Sequence, residues 1–159
     1  MEEETMKRHL IFILLFIAIT AVADGNRRKT THWTSHIHAT EYVTRLNDDT
    51  FADVPEFNVD SSGDPPLSIS EAHRIAQTEF SRLREAQIQY VLKSIRLVRF
   101  HQTDHWYYLV DYGVSGIDWK NIEPYRTKIE EEEDAETGPP RITIAILLDG
   151  TVVKQSQWR

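Results

Sequence analysis

Three histidines in the polar N-terminal part of the chain are the residues best suited to bind a metal ion. His32, His36 and His38 lie close together, and Glu41 follows them. On a strand, side chains two residues apart point to the same side, so His36 and His38 could share an ion with the Glu41 carboxylate. However, the spacing matches no established ligand pattern, and the chain has no cysteine. We therefore predict no cofactor and no metal site, while metal binding by these histidines stays an open alternative.

Two further sets of residues fall short of a catalytic site. Gly113-Val114-Ser115-Gly116 lacks the second spacer of the G-x-S-x-G motif, in which a strained turn exposes a nucleophilic serine. The run from Glu130 to Asp134 offers carboxylates, but adjacent like charges repel and typically mark a solvated loop. Acid and base catalysis needs two carboxylates in different environments. We predict that the protein is not an enzyme and has no catalytic residues; the alternative is a hydrolase or metal-dependent enzyme whose site is not recognised.

Large apolar side chains in a long connection are the best candidates for binding. The stretch from Gly113 to Pro140 separates two predicted strands, and connections longer than about 15 residues tend to be functional or disordered. Its first part contains Trp119, Ile122 and Tyr125. Large aromatic side chains are frequent in binding hot spots, so we predict that these three residues contact a partner protein. Two alternatives remain: the stretch is a disordered insertion, or the three side chains cap the open end of the sheet.

The composition restricts the partners. The 159 residues include 18 Lys and Arg against 25 Asp and Glu, which gives a formal net charge of −7. An acidic chain without a basic stripe lacks the phosphate contacts that drive nucleic-acid binding, so we expect no nucleic acid. The lack of cysteine excludes a thiol nucleophile, a thiolate zinc site and a disulfide framework.

Residues 1–23 have the pattern of a secretory signal peptide. Basic residues precede the apolar run from Leu10 to Val22, and Ala21-Val22-Ala23 supplies small residues before a cleavage site. The run is shorter than the roughly 20 apolar residues of a spanning helix. We predict cleavage after Ala23 and a periplasmic or secreted location. The alternative is a retained membrane anchor, because the basic residues Arg27 to Lys29 resemble a stop-transfer flank; only then do we expect membrane contact.

The clearest structural element is an amphipathic helix that begins at Ser68. Ser68 and Glu71 have the spacing of a capping box, in which the hydroxyl and the carboxylate each accept a hydrogen bond from a free amide. Apolar residues then recur at steps of three and four, which places them on one face that we expect to be buried: Ile69, Ala72, Ile75, Ala76, Phe80 and Leu83.

Alternating patterns after this helix predict an antiparallel sheet. Ile95 to Phe100 and Trp106 to Tyr112 are rich in β-branched and aromatic residues, and we expect the helix to cover the aromatic face of the second strand. Arg141 to Leu148 forms a third strand, and Asp149-Gly150 forms a tight turn before a short last strand, Val152 to Gln155. The predicted fold class is α+β, with one amphipathic helix packed on a small antiparallel sheet.

Residues 24–66 are predicted to be a polar lead-in arm. They contain scattered aromatic anchors, among them Trp33, Phe51 and Phe57, and they end in turn-forming residues before Pro65-Pro66. Ile37 to Leu46 could add an edge strand, although its apolar positions fit no period. The predicted organisation is therefore a signal peptide at 1–23, an arm at 24–66 and an α+β domain at 67–159, whose long loop covers 113–140.

The order of a capped helix, an aromatic strand and a final strand with a tight turn resembles PepSY domains. These are small extracytoplasmic modules found in peptidase propeptides and in many bacterial proteins. The resemblance covers about residues 67–155 and rests on Leu67-Ser68-Ile69-Ser70-Glu71-Ala72, Trp106-Tyr107-Tyr108-Leu109-Val110 and Leu148-Asp149-Gly150-Thr151-Val152-Val153.

This resemblance implies a PepSY-like or cystatin-like arrangement and a non-catalytic module, which in some members is proposed to restrain a peptidase. The sequence therefore predicts a secreted or periplasmic binding module that acts by protein contact. Besides the enzyme considered above, the alternative is a structural envelope protein anchored in the membrane.

Overall fold

The computed structural model describes residues 29–60, 63–116, 118–131 and 138–158. The predicted signal peptide and residues 132–134 of the acidic run lie outside these residues. In the described ranges, no helix is long and apolar enough to cross a membrane.

The described residues form one antiparallel sheet of six strands and one main helix that lies on it. The order across the sheet is β3-β4-β5-β1-β2-β6, and every neighbouring pair is antiparallel. This confirms the predicted α+β class. The elements are β1 (Thr30–Ile37), β2 (Thr40–Asn47), a 3-10 turn (Asp48–Phe51), α1 (Ile69–Leu83), β3 (Tyr90–Arg99), β4 (Trp106–Val114), a second 3-10 turn (Trp119–Asn121), α2 (Tyr125–Glu131), β5 (Arg141–Leu147) and β6 (Gln155–Gln157).

Helix α1 begins where the capping residues predict. The Ser68 hydroxyl accepts a hydrogen bond from the Glu71 backbone N–H at 3.2 Å, which satisfies one of the free amides of the first turn. Only this half of the capping box forms, because the Glu71 carboxylate binds the Arg74 guanidinium instead. Ala72 is fully buried, whereas Ile69, which was predicted on the buried face, is 55% exposed. The close contact of α1 therefore begins one turn into the helix.

The aromatic face of β4 packs under α1, as predicted. The Tyr108 hydroxyl donates a hydrogen bond to the Leu67 carbonyl at 2.9 Å. The Tyr112 ring stacks on Phe80, with the ring centroids 4.1 Å apart. These contacts place the aromatic stripe in the core and attach the start and the end of α1 to the same strand.

The N-terminal residues read as a lead-in arm form β1 and β2, which lie inside the sheet between β5 and β6. They also help to cover the face of β4 opposite α1. The Trp33 indole N–H donates a hydrogen bond to the Tyr107 hydroxyl at 3.1 Å, and the ring of Phe51 lies 6.2 Å from that of Tyr107. The sequence predicted at most an edge strand here because the buried positions include Ser35 and Thr44, which break the apolar alternation.

The last hairpin turns where Asp149-Gly150 predicts. Gly150 has a φ of 88°, which a side chain would disfavour, and its N–H donates a hydrogen bond to the Leu147 carbonyl. Val152 then forms an isolated bridge with Ile146 of β5, and the chain crosses to pair with β2 as β6. The predicted last strand thus pairs first with β5 and then with β2, two strands that β1 separates in the sheet.

Candidate functional site

The three residues predicted to bind a partner lie close together in the chain segment that joins β4 to β5. Trp119 is in the second 3-10 turn, Ile122 follows this turn, and Tyr125 begins α2. Tyr125 is fully buried, while Trp119 and Ile122 are half-buried, and the Trp119 ring meets Tyr125 edge-on at 5.7 Å. They pack with Ala39, Ile88, Tyr90 and Val114. Tyr125 is therefore part of the core, as expected if this segment caps the end of the sheet. Of the three residues, only Trp119 and Ile122 keep an outer surface that a partner could contact.

A buried carboxyl group, that of Glu85, holds this connection in place. Its side chain has no exposed surface. Its Oε1 accepts hydrogen bonds from the Tyr125 hydroxyl at 2.8 Å, the Tyr90 hydroxyl at 3.1 Å and the His38 backbone N–H at 2.9 Å. The Gln87 amide donates to Oε2 at 3.3 Å. These donors replace the water that a buried carboxyl group would otherwise need.

The same carboxyl group secures a strained turn between β1 and β2. His38 and Ala39 both have positive φ values, 51° and 55°. This conformation costs a non-glycine residue roughly 1–2 kcal/mol. Glu85 accepts from the His38 backbone, and the Lys128 ammonium donates to the Ala39 carbonyl at 2.9 Å. Tertiary contacts therefore hold a turn for which the sequence has no glycine or asparagine signal.

The two tyrosines act as hydrogen-bond donors in this cluster. Burial raises the pKa of Tyr90, and the charge of the nearby Glu85 raises it further. Burial also raises the pKa of Tyr125, as does its hydrogen bond to Glu85. Both hydroxyls therefore keep their protons at neutral pH. The cluster of Glu85, Tyr90 and Tyr125 connects the β1–β2 turn, the chain after α1 and the start of α2, which is a structural role.

The three histidines considered as metal ligands do not converge. His32 and His38 are exposed, and His36 is half-buried beside Gly138. The strand ends at Ile37, so the turn at His38 removes the alternation that would place His36 and His38 on one side. Within the described ranges, no group of three or more His, Asp or Glu side chains could hold a metal ion.

A second buried carboxylate, Asp111 of β4, joins two arginines. Arg141 donates to one oxygen at 2.8 Å, and Arg96 donates to the other at 2.9 Å. The Thr143 and Ser94 hydroxyls donate to the same two oxygens. Burial alone raises the pKa of Asp111, but the hydrogen bonds from Arg141 and Thr143 and the charge of Arg141 outweigh it, so the pKa is lowered overall. Asp111 is therefore ionised at neutral pH and orients both guanidinium groups.

A cavity of about 320 Å³ lies next to Asp111, where the long connection leaves and re-enters the sheet. Gly113 and Val114, the last residues of β4, line it on one side, and Pro139 and Pro140, just before β5, line it on the other. The remaining lining residues are Lys93, Ser94, Asp111, Tyr112 and Arg141. The cavity thus combines apolar walls with two cationic side chains and one paired carboxylate.

Another hollow, of about 350 Å³, lies along α1 and is lined by Tyr42, Leu83, Lys154 and the Glu79–Arg82 ion pair, among others. A helix is about 10 Å wide and strands are about 4.8 Å apart, so one helix covers only about two strands. Helix α1 lies on β4 and β5. The hollow is thus a consequence of one helix lying on a six-stranded sheet.

Sequence reasoning did not identify the groups around the two buried carboxylates. A signal existed for Asp111, because a charged residue interrupts the otherwise apolar and aromatic strand from Trp106 to Tyr112. Glu85 had no such signal, since it follows an amphipathic helix where acidic residues are ordinary. Its burial depends on Tyr125, which lies far along the chain.

Comparisons of the chain with protein-family models, with curated proteins and with solved structures find no match.

Proposed function

We propose that this chain is a secreted or periplasmic, non-catalytic module that acts by contact with another protein. The signal-peptide pattern of residues 1–23 supports the location. The PepSY-like order of elements supports a module of this kind, with a secreted peptidase as the partner by analogy. Because a fold hosts many functions, the role depends on the residues that the surface presents.

The observation that carries the proposal is that both oxygens of each buried carboxyl group, Glu85 and Asp111, already accept hydrogen bonds from the protein itself. Glu85 accepts hydrogen bonds at both oxygens, from Tyr125 and Gln87 among others. Asp111 does so as well, from Arg141 and Arg96. A general base or nucleophile needs a lone pair directed at its substrate. The Glu85 side chain has no exposed surface, and Asp111 accepts two hydrogen bonds at each oxygen, which supports binding rather than catalysis by these two groups.

The groups that face outward are suited to recognition. The Arg96 and Arg141 side chains are 48% and 49% exposed, and Asp111 holds each by one bond, so other N–H groups stay available. Trp119 and Ile122 lie on the connection whose two ends line the nearby cavity. The buried Tyr125 anchors this connection. A surface that is ordered before binding loses less entropy on contact, which favours affinity.

The test uses Trp119→Ala, with Trp158→Ala as the matched control. Trp158 is also a tryptophan with an exposed surface, 51%, and it directly follows β6, the strand at the opposite edge of the sheet from β3. Proteins retained by the immobilised chain from the extracellular fraction are identified by mass spectrometry. The partner is then purified, and its Kd is measured by calorimetry. We expect Trp119→Ala to weaken binding by about thirtyfold, as for a hot-spot aromatic residue, and Trp158→Ala to leave it unchanged.

Thermal unfolding of both variants separates lost contact from lost structure, since Trp119 packs on Tyr125. If no retained protein binds after purification, or if both variants bind as tightly as the original chain, the proposal is refuted.

A further inference from the structure

We propose that the cavity beside Gly113 binds the carboxylate of an otherwise apolar ligand, and that in the protein partner this group is a chain terminus with an apolar last residue. The carboxylate site is inferred from the residues that line the cavity. That its ligand is the chain terminus of a partner protein rests on the proposed function.

A β-bulge directs Lys93 into the cavity. Leu92 pairs with Tyr112 and Ser94 pairs with Asp111, so Lys93 is an extra residue on β3 between two consecutive residues of β4. Bulges re-aim side chains, and they are frequent beside functional sites. A Cβ placed on Gly113 would lie 3.3 Å from Lys93 Cε and 3.5 Å from Lys93 Cγ. The lysine stem thus lies over the space that glycine leaves free.

Lys93 and Arg141 bring more N–H donors to the cavity than Asp111 binds. Lys93 and Arg141 line the cavity together with one carboxylate, that of Asp111, so the lining has a net positive charge. Arg96 holds Asp111 from its other oxygen and adds a second guanidinium group nearby. Within the described ranges, the Lys93 ammonium has no hydrogen bond or ion pair. An anion between Lys93 and Arg141 would satisfy donors that are already in place, in a chain that is acidic overall.

The walls favour a carboxylate over a phosphate. Val114, Pro139 and Pro140 present apolar surface around the cationic side chains. A phosphate dianion carries no apolar body to cover this surface. A carboxylate on an apolar body pairs with the cationic side chains and also covers the apolar walls.

The test measures ligand binding to the purified chain by NMR, following the backbone amides of Gly113 and Val114. The probes are N-acetyl-leucine, its uncharged primary amide, the tripeptide acid N-acetyl-Ala-Ala-Leu and inorganic phosphate. We expect both acids to bind and the amide and phosphate to bind at least about tenfold more weakly, because the amide loses a charge-assisted hydrogen bond and phosphate leaves the apolar walls uncovered. Tighter binding of the tripeptide supports a chain terminus. Equal binding of N-acetyl-leucine supports the carboxylate site and overturns the chain terminus as its source.

Three variants locate the site. Lys93→Gln is expected to weaken acid binding about tenfold without affecting folding, since no bond of the described structure depends on its ammonium. Gly113→Ala is expected to weaken binding by filling the cavity floor, while the unfolding midpoint stays equal or rises, because glycine weakens a strand. Arg99→Gln is the control, because Arg99 lies on the same strand but binds Asp104 at the β3–β4 turn.

Equal binding of the acid and the amide overturns the inference, as does acid binding that Lys93→Gln and Gly113→Ala leave unchanged. These titrations need no partner protein. Their failure is therefore distinguishable from the failure of the proposed function, which the Trp119→Ala experiment tests separately.

Discussion

Removal of one hydroxyl group, by Tyr125→Phe, tests whether the Glu85 cluster holds the long connection on the sheet. The Tyr125 hydroxyl donates to Glu85 Oε1 at 2.8 Å, and the phenylalanine ring would keep the buried aromatic volume. The carboxyl group would retain its hydrogen bonds from Tyr90 and the His38 backbone but lose its shortest one. Removing one partner of a buried polar group costs about 1–3 kcal/mol, so we expect the free energy of unfolding to fall by about 2 kcal/mol.

Two other buried tyrosines calibrate this loss. The Tyr108 hydroxyl donates to an uncharged carbonyl group, that of Leu67, so Tyr108→Phe is expected to cost about 1 kcal/mol. The buried Tyr112 hydroxyl has no hydrogen-bond partner within the described residues, so Tyr112→Phe is expected to be neutral or stabilising. The three variants remove the same atom from buried rings and differ in what that atom contacts.

Urea unfolding at equilibrium, followed by fluorescence, measures all three. We expect the order Tyr125→Phe, Tyr108→Phe, Tyr112→Phe from the largest loss to the smallest. For a domain of this size, the first corresponds to a decrease in Tm of about 6 °C. Equal losses for Tyr125→Phe and Tyr112→Phe would refute the reasoning, because Glu85 would then not depend on the connection.

Three further predictions concern the sheet and the helix. Asp111→Asn is expected to lower the free energy of unfolding by about 2 kcal/mol at neutral pH, because it weakens the charge-assisted hydrogen bonds from two arginines that stay partly solvated. Since the pKa of Asp111 is lower in the folded state than its unfolded value of about 3.9, this stabilisation is complete above the unfolded pKa and is lost as the pH falls through the folded pKa. Urea unfolding of both proteins over this pH range measures it; a difference that persists at low pH would contradict the assignment. Phe80→Ala is expected to cost about 3 kcal/mol, because the ring stacks on β4, whereas Arg74→Ala should leave the urea midpoint nearly unchanged; equal effects would mean that α1 packs by another face. Ser68→Ala is expected to cost about 1 kcal/mol in thermal unfolding by removing the helix cap, and an unchanged Tm would refute that role.

The candidate site was only partly predictable. The aromatic content of the connection from 113 to 140 indicated that it docks or binds, and Trp119, Ile122 and Tyr125 do lie together. Their burial depends on Ala39 and Ile88, which belong to other parts of the chain. The cavity has the same origin, since Lys93, Gly113 and Pro139 become neighbours only when β3, β4 and the approach to β5 are side by side.

The sequence by itself determined the elements whose causes are local. Helix α1 follows from the Ser68 cap and from apolar steps of three and four residues, and the last turn follows from Gly150. Both signals lie within a few residues of the structure that they produce, so they are legible without knowledge of the rest of the chain.

Only the tertiary structure decided where β1 and β2 lie and which polar groups are buried. The Ser35 hydroxyl accepts a hydrogen bond from the Thr143 backbone, 108 residues away, and this contact helps to join β1 to β5. The His38–Ala39 turn is held by Glu85 and Lys128 rather than by its own residue types. Such contacts form because the free energy of the whole fold outweighs local preferences, and the balance involves residues that are distant in sequence.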